Sequence, residues 1–112
     1  MLKDGLAEAK RALHVNALAP QVAAWLEADL VEDGNDTAAL NALIALAETA
    51  GDPASPALRA WLENRAPAVA GGHPEKFVAE ALEAIRQAGG LAVDRAYVEA
   101  ARRRIAYRES LT

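Results

Sequence analysis

Catalysis needs neighbours: a nucleophile beside a base, paired carboxylates, or two or three metal ligands converging on one point. This chain of 112 residues offers little of that kind. It has no cysteine, so disulfides, thiolate nucleophiles and thiolate metal sites are excluded. The only histidines are His14 and His73, and neither lies in a metal-ligand spacing such as His-x-x-x-His. His14 falls near the end of a helical stretch, where a cation complements the helix dipole. His73 stands in a Gly-Gly-His-Pro turn. The carboxylates Glu27, Asp29, Glu32, Asp33 and Asp36 crowd around one turn. The run Asp33-Gly34-Asn35-Asp36 lacks the alternating oxygen ligands and closing Glu of a calcium loop, so it reads as a solvated helix end. The sequence therefore predicts no catalytic residues, no metal and no cofactor: not an enzyme.

The sharpest cluster is basic. Arg95, Arg102, Arg103, Arg104 and Arg108 all fall in the last stretch of the chain. On a helix, positions 104 and 108 share one face and 95 and 102 another. Arginines near a helix C-terminus favour its dipole and can pair with carboxylates elsewhere in the chain. They can equally dock on an acidic partner, and these five are the candidate partner-binding residues. The charge balance sharpens the contrast. Residues 1–85 carry 6 Lys/Arg against 13 Asp/Glu, and residues 86–112 carry 6 against 3. An acidic body of net charge −7, in a chain of net charge −4, repels a phosphate backbone at long range, which disfavours nucleic acid as a general partner.

Helices must position these residues, because no segment reads as a strand. Of the 53% hydrophobic residues, half are alanine: 29 in all. Alanine favours helix but buries little area, so a thin-cored all-α domain is expected, with one face left for a partner or a second copy. Leu2, Leu6, Ala9 and Leu13 mark a helix over 2–15. Val22, Trp25, Leu26 and Leu30 mark another from Pro20 to about Gly34. Leu40, Leu43, Ile44 and Ala47 mark a third, capped by Asp36 or Thr37 and closed at Gly51. Ser55-Pro56 starts a fourth, with Leu58, Trp61 and Leu62 inward and Pro67 as its stop. Residues 66–74 read as the least helical part. Pro74 restarts a helix with Phe77, Val78, Ala81, Leu82 and Ile85, closed by Gly89-Gly90. Val93, Tyr97, Ala101 and Ile105 mark a last helix to about 109.

Two of these segments repeat. Pro20, Trp25, Leu26 and Glu27 recur at a spacing of 36 as Pro56, Trp61, Leu62 and Glu63. With a shift of 38, residues 41–51 lie over 79–89, Ile44 on Leu82 and Gly51 on Gly89. The expected architecture is about six helices in a single domain over 1–112. Two helix-turn-helix hairpins, 20–51 and 56–89, lie between flanking helices at 2–15 and 93–109, as a helical repeat or a bundle. In the repeat the tryptophans face the core and fix the register. Stacking on a partner peptide is the alternative role for their rings. The period resembles that of helical-hairpin repeat proteins in architecture alone. The Leu-Gly pair of the tetratricopeptide pattern is absent after Trp25.

The run Ala88-Gly89-Gly90, then Arg103-Arg104 and Tyr107-Arg108, resembles the C-terminal helix-turn-helix of Fis-type and homeodomain-like bacterial regulators, over residues 77–111. That resemblance implies DNA contacts at Arg103, Arg104 and Arg108. It departs at the central turn, where Ala100-Ala101 stands in place of Gly and the helical periodicity continues.

The reading is a non-enzymatic protein–protein interaction module: a small helical adaptor, chaperone or regulatory subunit. It would bind another protein, or a second copy, through an apolar groove between paired helices. The acidic turn and the basic last helix would form the rim. A degenerate helix-turn-helix DNA-binding regulator is the alternative. No apolar run reaches bilayer length and the N-terminus lacks signal-peptide order, so no membrane and a cytoplasmic location are expected.

Overall fold

The computed structural model describes the backbone of residues 2–32 and 36–111, with side chains from Val15 onward. The turn at Asp33-Gly34-Asn35, the stripe read into residues 2–13 and the His14 side chain lie outside that description. The described chain is all-helical, with five helices: α1 (Leu2–Glu32), α2 (Thr37–Thr49), α3 (Pro56–Ala70), α4 (Pro74–Gln87) and α5 (Arg95–Ser110).

Five rather than six follows from Pro20. The expected break there does not occur, and α1 runs through the proline as one helix of 31 residues. Proline removes one donor, so the Asn16 carbonyl loses its helical partner. Burial explains why the helix persists. Leu18, Val22, Leu26 and Leu30 form one continuous buried stripe across the proline, while Pro20 itself is exposed. Pro67 is also inside a helix, and α3 continues to Ala70 instead of stopping before it. Ala66 is fully buried beside it, and the chain turns only at Gly71, whose φ of 62° suits glycine. Residues 66–70, expected to be the least helical part, are therefore the end of α3.

The starts of the other helices follow their caps. Asp36 Oδ1 accepts from Ala38 N at 3.0 Å, and Ser55 Oγ from Leu58 N at 3.4 Å. Pro56 and Pro74 occupy the first turns of α3 and α4. α5 begins at Arg95 rather than Val93, because Asp94 caps it: its Oδ1 accepts from Ala96 N at 2.9 Å.

α1 packs on α2 and α4, and α3 packs on α4 and α2, giving a four-helix bundle. The two hairpins thus face each other. In a translational stack, the first helix of one hairpin and the second of the next would stay apart. Side chains confirm the relation. The Arg65 guanidinium lies 5.4 Å from the Trp25 ring centre, and Trp61 Nε1 donates to Asp29 Oδ2 at 2.9 Å. Trp25 and Trp61 are equivalent positions, and so are Asp29 and Arg65, 36 residues apart. Reciprocal contact between equivalent positions is the mark of a two-fold relation.

The main core joins Val22 and Leu26 of α1 to Leu58 and Leu62 of α3, and to Ala81 and Ile85 of α4. A second, smaller cluster joins Leu30, Leu40 and Ile44 to Ala101 and Ile105. Through it α5 lies on the outer face of the α1–α2 hairpin; it has no contact with α4.

Candidate functional site

Two surfaces carry polar groups around apolar ground: α5 with its arginines, and the groove between α3 and α4.

α5 is seated by Val98, Ala101 and Ile105, and its start is tied to α1 where Asp94 N donates to Glu27 Oε1 at 2.9 Å. The fold disperses its five arginines. Arg102 pairs with Glu48 on α2. Arg95 lines the same α2–α5 cleft, with Glu48, Glu99 and Arg102. Arg104 turns the other way, and its Nη1 donates to the Val31 carbonyl at 3.0 Å. Arg108 is half-buried, and its Nη1 has no hydrogen-bond partner among the described residues. Arg103 points outward, 81% exposed and 3.8 Å from Glu99, with Tyr107 exposed one turn on. The five do not converge on one point. α5 also crosses Ala100-Ala101 without a break. The central turn of a helix-turn-helix is absent there, as the continuous periodicity predicted.

The groove between α3 and α4 has a volume of about 720 Å³ and opens to solvent. Ala66 and Pro67 form its α3 wall, Val78, Ala79 and Leu82 its α4 wall, and Pro53 and Ala54 one end. The base of the groove is core: Ala66 and Val78 are buried with Leu58, Leu62, Ala81 and Ile85, and Pro67, Ala79 and Leu82 are the apolar wall residues left accessible. Proline has no N–H, so the Pro53, Pro67 and Pro74 lining offers few backbone donors and suits an apolar occupant.

Two ion pairs frame it. Arg59 Nε donates to Glu63 Oε1 at 3.1 Å along α3. Arg86 Nε donates to Glu83 Oε2 at 3.0 Å along α4, and Arg86 Nη2 to Glu83 Oε1. That hydrogen bond holds the Glu83 carboxyl below the usual carboxylate range and raises Arg86 in turn. A groove between paired helices lies on the second hairpin. Its rim is this pair of ion pairs, not the acidic turn and the last helix, because α5 covers the corresponding face of the first hairpin.

The tryptophans sit at the edge of the core, half-buried. Arg65 lies over both rings, 5.4 Å from Trp25 and 5.6 Å from Trp61, and its Nη1 reaches Asp29 at 2.8 and 3.0 Å. This Trp-Arg-Trp stack occupies ring faces that a partner would need. The 36-residue spacing of Asp29 and Arg65, opposite charges at matching positions, was the signal for it. Among the described residues no group of three His, Cys, Asp or Glu gathers as a metal site, and no helix is long and apolar enough to cross a membrane.

No protein family matches this sequence, and no curated protein or solved structure is significantly similar to it.

Proposed function

We propose that this chain is a non-enzymatic protein–protein interaction module, a small helical adaptor or regulatory subunit, and that it binds its partner in the groove between α3 and α4. The observation that carries the reading is the groove itself: Pro67, Ala79 and Leu82 stand accessible between α3 and α4 over a buried base, framed by exposed ion pairs. Helical hairpins bind partners by this means, apolar burial giving affinity and rim charges giving orientation.

Ala79 is exposed on a groove wall, so Ala79→Arg obstructs the groove without touching the core. A pull-down from source lysate with mass spectrometry tests the reading. The expected result is a partner enriched by wild type and by Tyr107→Ala but lost with Ala79→Arg. Enrichment indifferent to Ala79→Arg, or turnover of a substrate by the purified chain, contradicts it. The DNA-binding alternative needs a turn that α5 lacks. Retention on DNA at low salt, lost in Arg103→Ala and Arg104→Ala, would revive it.

A further inference from the structure

The α3–α4 groove has a counterpart within the molecule, and a helix lies on that counterpart. At the repeat spacings of 36 and 38, Leu30 corresponds to Ala66, Leu40 to Val78 and Ile44 to Leu82. Leu30, Leu40 and Ile44 are the residues on which α5 lays Ala101 and Ile105. Ala66, Val78 and Leu82 line the open groove. The same face of the hairpin is therefore covered by a helix on one half of the bundle and open on the other. The difference in burial falls on one of the three pairs: Ile44 is 6% exposed beneath α5 and Leu82 is half-buried, whereas Ala66 and Val78 are buried by the packing of α3 on α4 as Leu30 and Leu40 are beneath α5.

The charges of the two seats differ in one informative place. Glu48, which takes Arg102 of α5, corresponds to Arg86 in the open groove. Arg86 meets Glu83 through Nε and Nη2, which leaves Nη1 for an incoming carboxylate. Arg59 stands near the start of α3 and Arg86 near the end of α4, so both cations mark the same end of the groove.

We propose that the groove receives an amphipathic α-helix from another protein, seated as α5 is on the first hairpin. The helix has an apolar stripe of Val-, Ala- and Ile-sized residues and a carboxylate where α5 carries Arg102. The 14 residues of α4 set its length at about 20 Å, or three to four turns. This rests on reading the groove as the binding surface, and it names what that surface selects.

Two synthetic peptides of residues 93–111 test it, one with the natural sequence and one with Arg102→Glu, each titrated against the full chain. The Arg102→Glu peptide is expected to bind about tenfold tighter than the natural one. Ala79→Arg in the protein weakens that binding by a similar factor, and Arg86→Glu reverses the preference between the peptides. Circular dichroism melting checks that Ala79→Arg remains folded. If it does not, the reversal by Arg86→Glu decides the matter alone. No binding at millimolar peptide, or binding indifferent to Arg86→Glu, overturns the proposal. So does a concentration-dependent dimer abolished by Ala79→Arg, which would give the groove to a second copy. If the peptides fail while a lysate partner still depends on Ala79, the helix chemistry falls and the groove stands. If both fail, the groove itself falls.

Discussion

Asp29 is the residue on which most of the polar order between the two hairpins depends. It accepts from Trp61 Nε1 and from Arg65 in a site about one quarter exposed, and Arg65 in turn lies over both tryptophans. Removing the carboxylate strands two donors at once. Asp29→Ala is expected to cost about 1–3 kcal/mol in urea unfolding, above the range of an exposed ion pair because the partners are partly desolvated. Trp61→Phe keeps the ring and deletes only the donor. A double-mutant cycle with Asp29→Ala should return a coupling of about 1 kcal/mol. Strict additivity of the two changes would show that the Trp61–Asp29 bond contributes nothing.

At the scale of elements, two positions separate local rules from tertiary ones. Pro20 breaks a local rule inside α1, and the buried stripe of Leu18, Val22 and Leu26 carries the helix past it. Pro20→Ala restores a donor to the Asn16 carbonyl. It should raise stability by about 1–3 kcal/mol, read as an increase in the urea midpoint. An unchanged midpoint would mean that the proline is accommodated at no cost. Gly90 works the other way. It has φ of 121°, and a Cβ built there would lie 2.3 Å from the Gly51 carbonyl oxygen, where the ends of α2 and α4 meet. Gly89, at φ of 81°, has open space around it. Gly90→Ala should therefore cost several kcal/mol where Gly89→Ala costs about 1. Equal costs would mean that the junction yields.

These elements show what could be read from sequence. Asp36, Ser55-Pro56 and Pro74 are local signals, and each starts a helix where it stands. The stripes Val22-Leu26-Leu30, Leu58-Leu62 and Val78-Ala81-Ile85 supply the buried residues expected of them. Pro20 and Pro67 misled because propensity is local, whereas the burial of Leu18 and Ala66 is decided by partners distant in sequence. A groove between paired helices was legible as a kind of surface and not as a place. Finding it requires knowing that α5 folds back on α1 and α2, and nothing in the periodicity of α5 says which hairpin it chooses. The arginines were legible as residues and not as a surface. Arg102 finds Glu48 and Arg104 finds the Val31 carbonyl only once α5 has docked.

The whole molecule measures 66 × 27 × 21 Å, with a radius of gyration of 16.3 Å where a compact chain of this length has about 13 Å. The length follows from α1, 31 residues in one helix and about 46 Å long. The asymmetry follows from α5, which covers one hairpin of a nearly two-fold bundle and leaves the other open. The exposed surface therefore divides into a basic helix, of whose arginines Arg102 and Arg104 engage the first hairpin, and an apolar groove framed by ion pairs. The proposed place of the partner is the groove. Placing a photo-crosslinking side chain at Ala79, and in a second variant at Tyr107, tests that assignment most directly in source lysate. A partner held in the groove forms a covalent adduct with the side chain at 79 and none with the one at 107. An adduct from Tyr107 alone would contradict it.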